Sequence, residues 1–292
     1  MQKSYTVAGP ILRHFRRTAR DLPWRDTRDP YAVLVSEVML QQTQVSRVVP
    51  AYARFLRRFP TLATLRKAPL GAVLREWSGL GYNRRARALH RIAQACPDGL
   101  PADVASLDAL PGIGAYTAGA VACFAYGAAV PFADVNIKRV LGRIFLGRVA
   151  TEREAIALDL QQMPERGADL WHHALMDLGA TICVATNPRC EVCPLAFRCA
   201  ARGPGEAGDA KEAQDTVASR QRTGRALRPA AYRDSDRRVR GAIVRVLAKE
   251  EAGLTIRSLE HEIGDPRVPR LADALVSDGL IERAGRRFRL PI

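Results

Sequence analysis

The 292-residue chain sets 45 Lys and Arg against 30 Asp and Glu, a formal net charge of +15, with 47% hydrophobic residues. That length and apolar content allow a substantial core and about two domains, while no apolar run is long enough to span a membrane. The arginines are scattered along the whole chain, not gathered on one amphipathic helix, which favours nucleic acid over an acidic lipid surface as the polyanionic partner, because neutralised phosphates release counterions.

The first ten residues, MQKSYTVAGP, lack the apolar core of a secretory leader, so an oxidising compartment is not expected. From Pro30 to Arg198 apolar residues recur at spacings of three and four, and the breaks fall at Phe59-Pro60, Ala68-Pro69 and Cys96-Pro97-Asp98-Gly99. This stretch reads as successive helices. In the first, residues 31–40, Glu37 has Val33, Leu34 and Leu40 as helical-face neighbours. A carboxyl held against apolar groups has its charged form disfavoured, so its pKa should rise and it can deliver a proton near neutral pH. A buried Glu paired with an arginine is the other reading.

Leu110-Pro111-Gly112-Ile113-Gly114 lies between a helical stretch at Asp103 to Ala109 and a helix beginning near Tyr116. Two glycines two apart at a helix start let backbone amides approach a phosphate, the pattern of a helix-hairpin-helix. The small residues Thr117, Ala118, Gly119, Ala120 and Ala122 that follow strengthen that reading over an ordinary turn. Asp134 precedes a helix at Ile137 to Leu146 and is either its N-cap or a functional carboxylate.

Cys183, Cys190, Cys193 and Cys199 form a C-x6-C-x2-C-x5-C run. Four soft ligands this close select zinc or an iron–sulfur cluster, and a single C-x2-C knuckle favours the cluster. Two disulfides are the third reading, weakened by the missing leader. Cys96 and Cys123 sit in apolar helical contexts and read as core thiols.

Ala201 to about Arg228 turns to Gly, Ala, Gln and charge, a linker composition. Beyond it, Ser235 to Glu250, Ile256 to Ile263 and Val268 to Ser277 read as three helices, and the chain from Asp278-Gly279 to Leu290 reads as a hairpin. Three helices and a hairpin suggest a winged helix, used for DNA or protein binding or as a structural cap.

Together the cysteine spacing, LPGIG, the Asp134 segment and SEVMLQQTQV (36–45) resemble the helix-hairpin-helix DNA glycosylases with a 4Fe-4S cluster, and within them the adenine-specific mismatch glycosylases of the MutY type. The resemblance covers about Arg20 to Cys199. It implies an all-α, two-lobed glycosylase domain over residues 1–200, to which the composition and pattern beyond it add a linker at 201–230 and a small winged-helix-like α+β domain at 231–292. It implies a monomeric, cytoplasmic bacterial repair enzyme at the nucleoid that acts on double-stranded DNA containing a mispair or damaged base, with no membrane association. By resemblance Glu37 protonates the adenine, Asp134 stabilises the sugar cation, and Tyr116 and Asn136 support the pair. Arg20, Leu22, Trp24, Leu40 and His173 match the base pocket, although Trp24 suits a core equally well. Gln42 and Tyr82 match residues that enter the duplex, Gly112, Ile113 and Gly114 form the DNA-binding hairpin, and the four cysteines hold the cluster. Arg189 and Arg198 of the cluster loop are candidates to meet DNA.

Tyr116 stands where the related endonuclease III type has its Schiff-base lysine, and a phenol forms no imine. The resemblance therefore implies a monofunctional enzyme removing adenine opposite 8-oxoguanine or guanine. Three departures point elsewhere. No trace of the Nudix-like domain follows Ala201, Asn83 replaces the usual second tyrosine, and Trp171-His172-His173-Ala174 differs from aromatic-Asn-Gln/Glu-Ala. They keep open another target base, thymine or uracil opposite guanine or hypoxanthine, and a non-catalytic iron–sulfur DNA-binding protein. His172 and His173 read alternatively as exposed helix residues.

Overall fold

The computed structural model describes residues 6–202 and 235–292, so most of the expected linker lies outside the described residues. The described residues form two units, each assembled from two stretches of chain: 6–22 with 115–202, and 23–114 with 235–292.

In the first unit, α1 (Ala8–Thr18) lies ahead of the stretch expected to be helical. α8 (Ala115–Tyr126), α9 (Val135–Leu146), α10 (Glu152–Gln162) and α11 (Ala168–Thr181) follow the expected order. α11 packs on α1, α8 and α9, and α9 packs on α10. α8 is buried from Thr117 to Ala125, which explains its run of small and apolar residues on every face. Three short 3₁₀ turns, Cys190–Val192, Ala196–Arg198 and Ala200–Arg202, carry the cysteine loop.

The second unit opens with α2 (Pro30–Leu40), whose start is set by Pro30 in the first turn and by Asp29, which accepts the Tyr31 amide. Residues 31–39 of α2 are all buried. Around it stand α3 (Val45–Arg58) and α6 (Arg84–Ala95), with α4 (Leu62–Lys67) against α6 and α5 (Leu70–Glu76) against both α3 and α6. α7 (Val104–Asp108) is capped by Asp103.

The C-terminal residues of that unit run α12 (Asp236–Leu247), β1 (Leu254–Thr255), α13 (Ile256–Ile263), α14 (Val268–Ser277), β2 (Glu282–Ala284) and β3 (Arg287–Arg289). This helix–strand–helix–helix–strand–strand order is that of a winged helix. The expected bounds of α13 and α14 hold, and the hairpin forms. The sequence reading missed β1, which makes the sheet three-stranded in the order β1-β3-β2, with Leu254 and Arg283 both paired to Phe288. Phe288 is buried, and so are Val239, Ile243, Leu247, Leu259, Leu271 and Leu275 from the three helices.

Candidate active-site residues

Asp134 is the N-cap of α9, and it is more than a cap. Its Oδ1 accepts the amides of Asn136 at 2.8 Å and Ile137 at 2.7 Å, and its Oδ2 accepts the Asn136 side-chain amide at 2.8 Å. The carboxylate therefore sits at the positive end of the helix dipole with both oxygens hydrogen-bonded, surroundings that suit a negative charge. Asn136 is itself oriented, because Arg139 donates to its Oδ1 at 2.7 Å and to the Gly179 carbonyl at 2.6 Å. α11 approaches this spot so closely that a Cβ on Gly179 would lie 2.6 Å from the Asn136 Cβ. Tyr116, at the start of α8, meets the Phe132 ring edge-on, with centroids 5.7 Å apart.

His173 is half-buried and stacks on Phe124 with centroids 4.1 Å apart. The alternative expectation that both histidines are exposed helix residues is overturned for His172, which is fully buried. The reason is a carboxylate that sequence reading missed. Fully buried Asp159 on α10 meets His172 Nε2 at 2.8 Å and accepts from Trp171 Nε1 at 2.7 Å and the Phe132 amide at 3.2 Å. His172 Nδ1 faces the Ala168 carbonyl at 2.7 Å, and its ring stacks on Phe132. Asp159 thereby fixes the segment that leads into Asp134. A lone Asp on a helix with little apolar periodicity gives no local signal of this role.

Arg20 is bound to buried Asp177 through its Nη2 at 2.6 Å, its Nε at 2.7 Å and its backbone amide at 3.1 Å. The guanidinium is thus fixed in place beside α11. Leu22 is buried.

α9 also carries two arginines that grip the cysteine loop. Arg139 donates to the Cys183 carbonyl at 2.6 Å, and Arg143 donates to the Val184 carbonyl at 2.7 Å and the Ala185 carbonyl at 3.0 Å. The Cys183 sulfur lies 3.5 Å from Arg143 Nη1, and the Cys199 thiol lies 3.4 Å from the Arg143 carbonyl. All six cysteines are free of disulfides, and Cys96 and Cys123 are buried as core thiols. Burial pushes the Cys193 thiol up to about 11, and the charges of Cys183, Cys199 and Cys190 add to that rise. Four sulfurs that repel one another in this way take up negative charge together only beside a cationic centre. Among the described residues, no three His, Cys, Asp or Glu side chains are grouped as one metal ion would need. Four cysteine sulfurs on one loop can supply one thiolate to each iron of a 4Fe-4S cluster. Arg189 and Arg198 are exposed on this loop.

In the second unit, Glu37 is buried within the wholly buried part of α2, and Leu40 is half-buried at its end. Trp24 is buried edge-on against Tyr52, with centroids 5.6 Å apart, a core position. Gln42 and Tyr82 both adopt left-handed backbone conformations, φ 54° and 48°, uncommon for residues with a side chain. One side chain holds both loops: Arg85 donates to the carbonyls of Val38, Met39 and Gln41, to Thr43 Oγ1 and to the Gly81 carbonyl. Its burial lowers its pKa to about 10, so the guanidinium stays charged. In the 110–114 hairpin, Gly112 has φ +79°, and a Cβ there would lie 2.8 Å from the Ala88 Cβ. The space beside Gly114 is open, and the Ile113 amide turns back to Leu110 at 3.1 Å.

Residues 35–164 match the model of the HhH-GPD superfamily base excision DNA repair proteins, and residues 183–199 match the iron-sulfur binding domain of endonuclease III. The fold and site residues thus define a base-excision DNA glycosylase. The chain is 42% identical to an adenine DNA glycosylase of Mycolicibacterium smegmatis over 96% of its own length and 94% of that protein's, and 38% identical to one of Mycobacterium tuberculosis over 98% and 96%. A human adenine DNA glycosylase is 38% identical over 66% of this chain and 39% of its own. Among solved structures, a thermostable thymine-DNA glycosylase matches with a TM-score of 0.60 and 29% identity, covering 67% of this chain and 94% of that one. An endonuclease III–DNA covalent intermediate matches with a TM-score of 0.59 at 22% identity over 72% of this chain and 95% of that one, a likeness of fold. The chain belongs to the adenine DNA glycosylases of the HhH-GPD superfamily. Its cofactor is a 4Fe-4S cluster on the loop of Cys183, Cys190, Cys193 and Cys199. No helix among the described residues is long and apolar enough to cross a membrane.

Proposed function

We infer that the protein is a monofunctional, monomeric glycosylase that hydrolyses the N-glycosidic bond of adenine mispaired with 8-oxoguanine or guanine, with residues 1–200 as its glycosylase domain, 201–230 as linker and 231–292 as an appended winged helix. The observation that carries this reading is the similarity to the mycobacterial adenine DNA glycosylases along nearly the whole chain. A Glu37 buried on an apolar helix and a hydrogen-bonded Asp134 support it.

Flipping a base out of the duplex costs a few kcal/mol, least for a mispair, and Tyr82 and Gln42 fill the space left. Arg20, Leu22, Leu40 and His173 receive the adenine, while Gly112 and Gly114 offer backbone amides to a phosphate. Adenine leaves poorly as an anion. Glu37 gives its proton to N7 as the bond to C1′ breaks, so the base departs neutral. The electron-poor sugar is then stabilised by the Asp134 carboxylate, held in place by Asn136, and Tyr116 supports the pair. Water adds to C1′ and returns a proton to Glu37. Two carboxyls in opposite protonation states are what such a cleavage requires. The cluster, when bound, ties four cysteines of one loop together, and hydrolysis itself consumes no electrons. Tyr116 offers no amine, so no imine with the sugar forms.

Single-turnover release from defined duplexes tests the reading. Adenine release opposite 8-oxoguanine or guanine is expected, with no adduct trapped by borohydride and with Glu37→Gln slower by about 10²–10⁴-fold, the usual worth of a general acid. Release of thymine or uracil from a guanine mispair, with none of adenine, would replace it with the other-base reading.

A further inference from the structure

Tyr82 is clasped by two guanidinium groups of different character. Arg85, 5.2 Å from the ring centroid, is committed to backbone carbonyls. Arg237, at the start of α12, lies 4.8 Å from the centroid and donates to the Tyr82 hydroxyl, yet it is exposed. The acidic residues around α12 bind several other arginines: Asp236 meets Arg267 and Arg270, Asp265 meets Arg238 and Arg267, and Asp278 meets Arg84 and Arg240. Arg237 reaches an aromatic ring 155 residues away in sequence.

Its seat is rigid. Asp278, at the end of α14, is bridged by Arg84 of α6 at 2.7 Å and by Arg240 of α12, and the Gly71 amide of α5 bonds the Pro291 carbonyl at 2.9 Å. Exposed Arg47 donates to the Gly79 carbonyl in the same loop as Tyr82, which adds positive charge to this rim. A left-handed, arginine-stapled tyrosine with an exposed cation resting on it is a costly arrangement for mere docking, since the ion pairs of Asp278 already fasten the winged helix.

We propose that Arg237 is a DNA-contacting residue: it travels with Tyr82 as the second half of a composite wedge and binds the phosphate backbone flanking the point where Tyr82 enters. The winged helix thereby acts at the lesion as an extension of the glycosylase, not as a separate DNA-binding module. The inference rests on the reading of Tyr82 as the residue that enters the duplex.

The test uses full-length protein and the salt dependence of its binding to undamaged and A·8-oxoguanine duplexes, measured apart from base release so that it stands even if no adenine is released. Arg237→Ala is expected to lower the slope of log affinity against log salt by about 0.9, one phosphate contact, equally on both duplexes. Arg237→Lys should restore the slope, and the cluster's visible absorbance and the melting temperature should stay at the parent values in both variants. Tyr82→Phe, which removes the hydroxyl and keeps the ring, should leave the slope intact. An unchanged slope in Arg237→Ala overturns the proposal. So does a loss confined to the mispaired duplex, which would make Arg237 a reader of the opposite base.

Discussion

Asp159 shows how a residue remote from any motif can set the geometry of one inside it. Its carboxylate is fully buried and meets three donors, from Trp171, His172 and Phe132, and the Phe132 amide lies two residues before Asp134. Replacement by Asn removes the charge, turns an amide nitrogen toward donors and leaves His172 Nε2 poorly matched. Leaving a buried donor unmatched costs about 1–3 kcal/mol, so Asp159→Asn is expected to lower the thermal midpoint and slow base release together. A melting curve indistinguishable from the parent would sink the assignment of Asp159 as a structural hub. Asp134, Glu37, the hairpin glycines and the four cysteines were legible because each sits in a local pattern that its chemistry explains. Asp159, Arg85, Arg139 and Arg237 were not, because the contacts that give them their roles reach partners 12 to 155 residues away or backbone carbonyls that leave no trace in side-chain patterning, the local bond from Arg139 to Asn136 apart.

Among the elements, α13 and α14 follow their apolar periodicity and have the expected bounds, whereas β1 has only two residues and no alternation to detect. Its pairing is imposed by β3 through Phe288. How the winged helix is fastened has a pH signature. The hydrogen bond from Arg84 holds the Asp278 carboxyl below the usual carboxylate range, with Arg240 adding to the effect. Its folded-state pKa is thus depressed, so the stabilisation is present in full above the unfolded value of about 3.9 and is lost as pH falls through the folded value. Acid titration followed by limited proteolysis should release residues 235–292 as a cleavable segment only as pH falls below the usual carboxylate range, through the depressed folded-state value, in the parent. Asp278→Asn should show that susceptibility already at neutral pH, and equal resistance of parent and variant at every pH would remove Asp278 from the fastening.

At the scale of the molecule, both units interleave early and late stretches of chain, which a linear reading of motifs does not reveal. The sequence placed the cluster loop at the end of the helical stretch but gave no sign that α9 binds Asn136 with one arginine and the loop carbonyls with that same arginine and its neighbour one turn on. Removing iron from the intact protein by chelation should therefore raise hydrogen exchange at 134–139 as well as at 183–202. Exchange that rises only within 183–202 would show that the grip of α9 does not depend on the cofactor.

The same grip dictates an order of events while the protein is being made. Arg139 leaves the ribosome 44 residues ahead of the Cys183 carbonyl it binds, and Cys199 follows later still. Until that loop has emerged and closed, Asn136 lacks the fixed arginine that orients it, and Asp134 lacks a fixed Asn136. A nascent chain therefore carries the hairpin and the charges that attract DNA before it carries a set carboxylate, and chemistry waits on the arrival of its last cysteine.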